Sequence, residues 1–222
     1  MENKINHNPF AQPELAIGYN DWYQTEGLGA DQKEKALLAW LLTRFPEIST
    51  ILEVGCGSGH FTRWFMERGL RAVGLDLSLP MLDEAIRFGD PIYIQGNSLM
   101  LPFGSHTFDL VALITTLEFL PNPRRALIEA ARVARKGLIL GVLNNQSRLG
   151  RQYKSEAGPV WGVARFFTPG ELRRIVRDVI GNKDGIVWRT TLWPLWPRAL
   201  PLPWGGFIGM AVKFMDIHQV EK

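Results

Sequence analysis

The chain has 222 residues, 46% hydrophobic and 21% charged, enough for one ordinary domain with a sizeable core and too apolar for a disordered chain. Its single cysteine, Cys56, excludes an internal disulfide and a cysteine-based metal cluster and fits a reducing cytoplasm, so no metal is expected. The net charge of +3 hides a basic stretch, residues 124–177, with twelve Lys or Arg against three Glu; it is read as a solvated helical surface, and nucleic acid is not an expected partner.

Met1 to Pro13 is polar and lacks the basic-then-apolar pattern of a secretory leader. No apolar run approaches the roughly 18 residues of a membrane-spanning helix. Asp31 with Glu34 reads as a capping box for a helix whose Leu38, Leu41, Leu42 and Phe45 share one face and which ends near Pro46. A strand follows at 50–54. A helix follows from about Gly59 to Arg68 and stops at Gly69, and a second strand at 71–75. Ser78 caps a helix through Phe88, with Pro80 in its first turn, and 92–95 is a third short strand. The run Phe108 to Thr115 suits a strand buried on both faces. Pro121 and Pro123 open a helix to about Arg135, and 138–143 is a fifth strand. Thr168-Pro-Gly-Glu171 caps a helix with Leu172, Ile175, Val176 and Val179 on one face. Two strand-like pieces close the chain between Ile186 and Phe214. This alternation predicts an α/β fold: a mostly parallel sheet with helices on both faces and an antiparallel hairpin at one edge.

Residues 51–59, Ile-Leu-Glu-Val-Gly-Cys-Gly-Ser-Gly, carry the chemistry. A strand entering a helix through glycines exposes backbone N–H groups beside a helix N-terminus, a ready cradle for a ligand. The spacing Gly55-x-Gly57-x-Gly59 is not the Gly-x-Gly-x-x-Gly of the dinucleotide fingerprint. Glu53, two residues before the first glycine, would crowd a pyrophosphate and suits a cationic ligand without phosphate. Asp76 at the end of the second strand can accept from both hydroxyls of a ribose.

With these residues the chain resembles the class I S-adenosylmethionine-dependent methyltransferases, in particular the methyltransferase type 11 group that includes the ubiquinone and menaquinone biosynthesis type. The resemblance runs over about residues 15–215, carried by 53–59, 74–78, 96–103 and 108–111. It implies a Rossmann-like sheet of seven strands in the order 3-2-1-4-5-7-6, one domain over 1–222, and S-adenosylmethionine as cofactor. It implies a cofactor site of Glu53, Gly55, Cys56, Gly57, Gly59, Asp76, Leu77, Asn97, Ser98 and Thr115. Asn97 stands where similar enzymes often have Asp. The segment Tyr19-Asn-Asp-Trp-Tyr23 resembles the lid of this group, which adds Tyr19 and Trp22 and makes 1–30 a lid segment.

Catalytic groups stay open: His60 reads as a base or a residue pointing away, Glu118 as a substrate-orienting or a surface residue. Asn122-Pro123 is read as a turn and helix cap. Residues 144–167 and 188–205 are expected to be substrate-side elaborations, with Asn144, Asn145, Arg148 and Trp161 supplying specificity. Trp193 and Trp196 wall a small apolar acceptor or touch a membrane surface, and Trp188 packs on the core. Two rivals stand beside methyl transfer: an NAD-linked oxidoreductase, and a cofactor-binding module without activity. The oligomeric state is left open.

Overall fold

The computed structural model describes residues 9–89, 91–156, 158–181, 185–193 and 198–214. Seven strands form one sheet in the order β3-β2-β1-β4-β5-β7-β6. They are β1 Thr50–Val54, β2 Arg71–Asp76, β3 Ile92–Gln95, β4 Phe108–Ile114, β5 Ala134–Leu143, β6 Ile186–Thr191 and β7 Phe207–Lys213. The first five are parallel; β7 runs antiparallel to β5 and β6 antiparallel to β7. This is the expected order, with the edge hairpin in its expected place. Every residue of β4 is buried, which is why that segment reads as one apolar run without alternation.

The helices are α1 Pro13–Ala16, α2 Tyr19–Gln24, α3 Leu28–Leu42, α4 His60–Glu67, α5 Leu79–Arg87, α6 Pro123–Val133, α7 Arg148–Glu156 and α8 Pro169–Ile180. One core packs Leu127 of α6 and Leu172 and Val176 of α8 against β4, β5 and β7. The other packs Leu37, Leu38 and Leu41 of α3 and Phe61 and Phe65 of α4 on the opposite face. Burial of such side chains stabilises each by about 1.5–3 kcal/mol, so the parallel strand ends that build the site are held from both sides.

Three local expectations need correction. Helix α3 starts at Leu28 behind Gly27, so Asp31 is no cap; its carboxylate binds His60 and Lys35 instead. Helix α6 ends at Val133 and β5 begins at once at Ala134. Residues 148–156 form a helix inside what reads as a long connection. Three caps are where the residues placed them: Ser78 Oγ accepts from Met81 N–H at 3.3 Å, Asn122 Oδ1 from Arg125 N–H at 3.0 Å, and Thr168 Oγ1 from Glu171 N–H at 3.1 Å. Trp188 packs against the first core.

Candidate active site

The carboxyl ends of β1, β2 and β4 meet where the strand order reverses, the place where open α/β sheets bind ligands. Leaving β1, the N–H groups of Gly55 and Cys56 donate to the Leu75 carbonyl at 2.7 and 3.1 Å, so the loop stays tied to β2 as it turns. Gly55 has φ +73°, and a Cβ there would lie 2.2 Å from Thr116 Cγ2. Gly57 has φ +52°, and a Cβ there would meet only Met81 Sδ at 4.0 Å, so a ligand can approach this backbone.

Two adjoining clefts open here. The first is lined by Leu77, Asn97, Ser98, Leu99, Phe119, Leu120 and neighbouring residues; the second by Tyr19, Tyr23, Glu53, Cys56, Gly57, Ser58, His60 and others. Phe10, Gly55, Asp76 and Thr115 line both. Of the sequence-derived cofactor residues, Gly59 and Trp22 line neither cleft: Gly59 turns the chain into α4 against Tyr93, and Trp22 packs over Gly27. Sequence reasoning missed Phe10, Tyr23 and Phe119. Tyr23 lies one turn after Tyr19 on α2, and that i, i+4 spacing was the available signal.

At the junction of the clefts, Asp76 Oδ2 accepts from Gly57 N–H and Oδ1 from Ser78 N–H, both at 2.8 Å. It therefore braces the glycine turn and the start of α5. Each carboxylate oxygen still has an acceptor position for a ligand hydroxyl. Burial raises its pKa despite these bonds. Leu77 beside it is 54% exposed, an apolar face open to a ligand ring. The Asn97 Oδ1 accepts from Leu99 N–H at 2.9 Å, which folds the loop after β3 over the first cleft.

The second cleft is charged and closely bonded. Glu53 is buried, accepts from Thr62 Oγ1, and burial pushes its carboxyl up to about 8. Behind Ser58, and lining neither cleft, Asn20 is 4% exposed and accepts from Ser58 Oγ at 2.9 Å and Arg63 Nη2 at 3.1 Å through Oδ1; its Nδ2 donor has no partner among the described residues. His60 stacks on Tyr23 with ring centroids 3.6 Å apart, and its Nε2 lies 2.7 Å from Asp31 Oδ1. Burial lowers the His60 pKa.

The strand-four side differs from expectation in two respects. Glu118 is no surface residue: it is 2% exposed, Oε1 accepts from Leu143 N–H at 2.6 Å, and burial raises its carboxyl to about 8. Asn144 is no specificity group: its Nδ2 donates to the carbonyls of Pro203 and Gly205, and its Oδ1 accepts from Gln146 N–H. Trp161 joins a run of rings instead, stacked on Tyr153 at 4.5 Å and 6.3 Å from Phe119, which in turn meets Phe10 at 4.9 Å. Trp193 donates to the Thr190 carbonyl and lines neither cleft. Trp196 lies outside the described residues. Among those residues no helix is long and apolar enough to cross a membrane, and no group of His, Cys, Asp and Glu is arranged to hold a metal ion.

Residues 52–141 match the methyltransferase domain family. This chain carries a class I S-adenosylmethionine-dependent methyltransferase domain. An S-adenosylmethionine-dependent methyltransferase of Thermotoga maritima is 26% identical, with a TM-score of 0.76 over 90% of this chain and 96% of that one. A demethylmenaquinone methyltransferase of Roseiflexus sp. is 32% identical over 58% of this chain, and a malonyl-[acyl-carrier protein] O-methyltransferase of Salmonella typhimurium 36% identical over 46%. The matched stretches span 56% and 40% of those two curated relatives. The hydride-transfer alternative is set aside by the family match, which does not specify the acceptor.

The residues of the site fit S-adenosylmethionine at three places. Buried Glu53 suits an ammonium, Asp76 the ribose hydroxyls, and the cleft beside Leu77 an adenine face.

Proposed function

We propose that the protein moves the methyl group of S-adenosylmethionine to a small acceptor by direct in-line displacement, in the cytoplasm and without a metal. The observation that carries this is Asp76, whose carboxylate faces the junction of two clefts with acceptor positions to spare, beside a glycine turn open at Gly57. When bound, the cofactor supplies a methyl carbon already activated by a sulfonium. The protein's share is alignment and exclusion of water. Asp76 would hold the ribose. Leu77, Asn97 and Ser98 would hold the adenine, and the Gly57–Ser58 loop the amino acid carboxylate. Glu53 would sit close enough to steady the ammonium, whose charge would draw the Glu53 pKa back down. Gly55 and Thr115 line both clefts, where the reacting carbon must lie if both are filled. Phe10, Tyr19 and Tyr23 would roof the site with aromatic faces, favourable beside a sulfonium.

Calorimetry with S-adenosylmethionine and S-adenosylhomocysteine, with NAD as control, tests the binding half. Labelled methyl transfer into a metabolite extract tests the catalytic half. Tight binding with no transfer to any component would favour a cofactor-binding module without activity; NAD binding alone would overturn the reading.

A further inference from the structure

A third cavity, of about 390 Å³, lies outside the two clefts, where α2 and the first half of α3 face α4 and Phe88 after α5. Its size is that of a small-molecule site. The stacked rings of Tyr23 and His60 are its partition from the second cleft, since both line the two spaces. Gly55 and Thr115 do not line it, so an occupant is out of line with the reacting carbon. Its charges do not balance. Lys35 and Arg63 line it with one carboxylate, Asp31, which already serves Lys35 at 2.9 Å and His60 at 2.7 Å. Arg63 pairs with no carboxylate among the described residues. Its guanidinium donates to neutral groups: the Ser58 carbonyl at 2.7 Å, Asn20 Oδ1 at 3.1 Å and the Tyr93 hydroxyl at 3.5 Å. Glu53 is close enough to feel that charge but bonds to Thr62 instead. These bonds leave the Arg63 Nε proton and one on Nη2 free, and Lys35 keeps two of its own. Arg63 is half-buried and the Lys35 side chain 22% exposed, so both are open to an occupant. Leu28 and Phe88, 45% and 43% exposed, add apolar surface at the rim.

We propose that this cavity binds a small effector with an oxyanion head, carboxylate or phosphate, on an apolar body, and that the effector pins α2 to α4 and so tightens the hold on the cofactor. The head group takes the free protons of Arg63 and Lys35, a planar fork and a point charge that both suit an oxyanion. The body lies against Leu28 and Phe88. Such a ligand bridges the two sides of the cavity: Lys35 and Leu28 belong to α3, directly after α2, and Arg63 to α4. Helix α2 carries Tyr19 and Tyr23 into the second cleft, and Arg63 holds the carbonyl of Ser58, which lines that cleft. Ordering these groups once, for the effector, lowers the cost of ordering them for the cofactor, and the coupling is reciprocal. The coupling rests on the S-adenosylmethionine reading above; the binding of an oxyanion does not.

The test is calorimetry on the full chain with three probes: phenylacetate, phenyl phosphate and the neutral phenylacetamide. Without cofactor, one oxyanion at least is expected to bind about tenfold more tightly than the amide, the scale of a hydrogen bond to a charged group; the tighter of the two names the head group. Lys35→Gln is expected to weaken that probe about tenfold and Lys35→Arg to keep it, while Lys35→Gln without probe holds S-adenosylhomocysteine within about twofold of wild type. Arg63→Gln is expected to abolish probe binding; should that variant not fold, the Lys35 pair decides. With the wild type saturated in the tighter probe, S-adenosylhomocysteine is expected to bind about fivefold more tightly, at the low end of coupling between two sites. Equal binding of all three probes, or oxyanion binding that Lys35→Gln leaves intact, overturns the site. Unchanged or weaker S-adenosylhomocysteine binding in saturating probe overturns the pinning. A wild type that binds the oxyanion but no S-adenosylhomocysteine brings down the cofactor reading and leaves the site standing.

Discussion

Strand β4 carries an acid near each end, and the two are treated in opposite ways. Asp109 near the amino end accepts from the N–H and hydroxyl groups of Ser49 and Thr50, and from Arg135 at 3.0 Å. Burial pushes its carboxyl up, but these bonds outweigh it and hold the pKa down at about 2. Glu118, four residues past the carboxyl end, has one bond to Leu143 and a pKa raised to about 8 by burial. A buried acid that only holds the fold is saturated with donors. One left unsaturated at the ligand end of the sheet keeps its proton instead.

The contrast breaks most visibly in stability. Asp109→Ala removes the acceptor that ties β4 to the start of β1 and leaves the Ser49 and Thr50 donors unpaired, and should cost about 3 kcal/mol. Urea melts read this, and a loss under about 1 kcal/mol would mean that these bonds hold little. Asp76→Asn lies between the two extremes, because that acid serves the turn and the ligand together. It should keep the fold and weaken S-adenosylhomocysteine binding by about 1.5–3 kcal/mol, measured by calorimetry. An unchanged Kd in the folded variant would make Asp76 a brace for the turn alone.

The pH dependence sharpens the same comparison. Glu118 and Glu53 have folded pKa values raised from 4.5 to about 8, so their contribution is full below 4.5 and is lost as pH rises through about 8. Asp109 is lowered from 3.8, so its contribution is present above 3.8 and is lost as pH falls toward about 2. Ligand-free protein should therefore lose stability from mildly acid to mildly basic pH, by up to about 1.4 kcal/mol per pH unit for each raised group. Glu118→Gln should flatten that slope; an identical slope in the variant would count against a strained Glu118. The smallest effect belongs to Trp22→Ala, which should alter cofactor affinity by less than about 0.5 kcal/mol because the ring lies outside both clefts.

What could be read from the residues alone followed locality. The turn after β1, Asp76 and the three helix caps depend on neighbours in sequence, and their patterns survive intact. Helix α7 was hidden because Arg148-Leu-Gly-Arg-Gln-Tyr-Lys-Ser-Glu156 has almost no apolar stripe; it docks through Gly150, where a Cβ would lie 2.0 Å from the Asn144 carbonyl oxygen. Ala134-Arg-Lys136 has helical propensity, yet pairing of Ala134 with Phe108 and of Gly137 with Leu110 and Lys213 draws it into β5. Asp31 mimicked a cap because its partner, His60, lies twenty-nine positions away. Phe10, Asn20 and Phe119 acquire their places only when the chain ends and the loop after β4 converge on the sheet.

Phe10 has a kinetic consequence. Its ring is a wall common to both clefts and touches Tyr19 on one side and Phe119 on the other, while its carbonyl accepts from Ser78 Oγ at 2.5 Å at the start of the helix after Asp76. A donor that fills both clefts would lie against that ring, so its entry and departure should be coupled to the Ser78 clasp. Turnover should then be compulsory in order, donor first and spent donor last. Its ceiling would be the escape rate of S-adenosylhomocysteine, with the methyl step itself hidden from steady-state measurement.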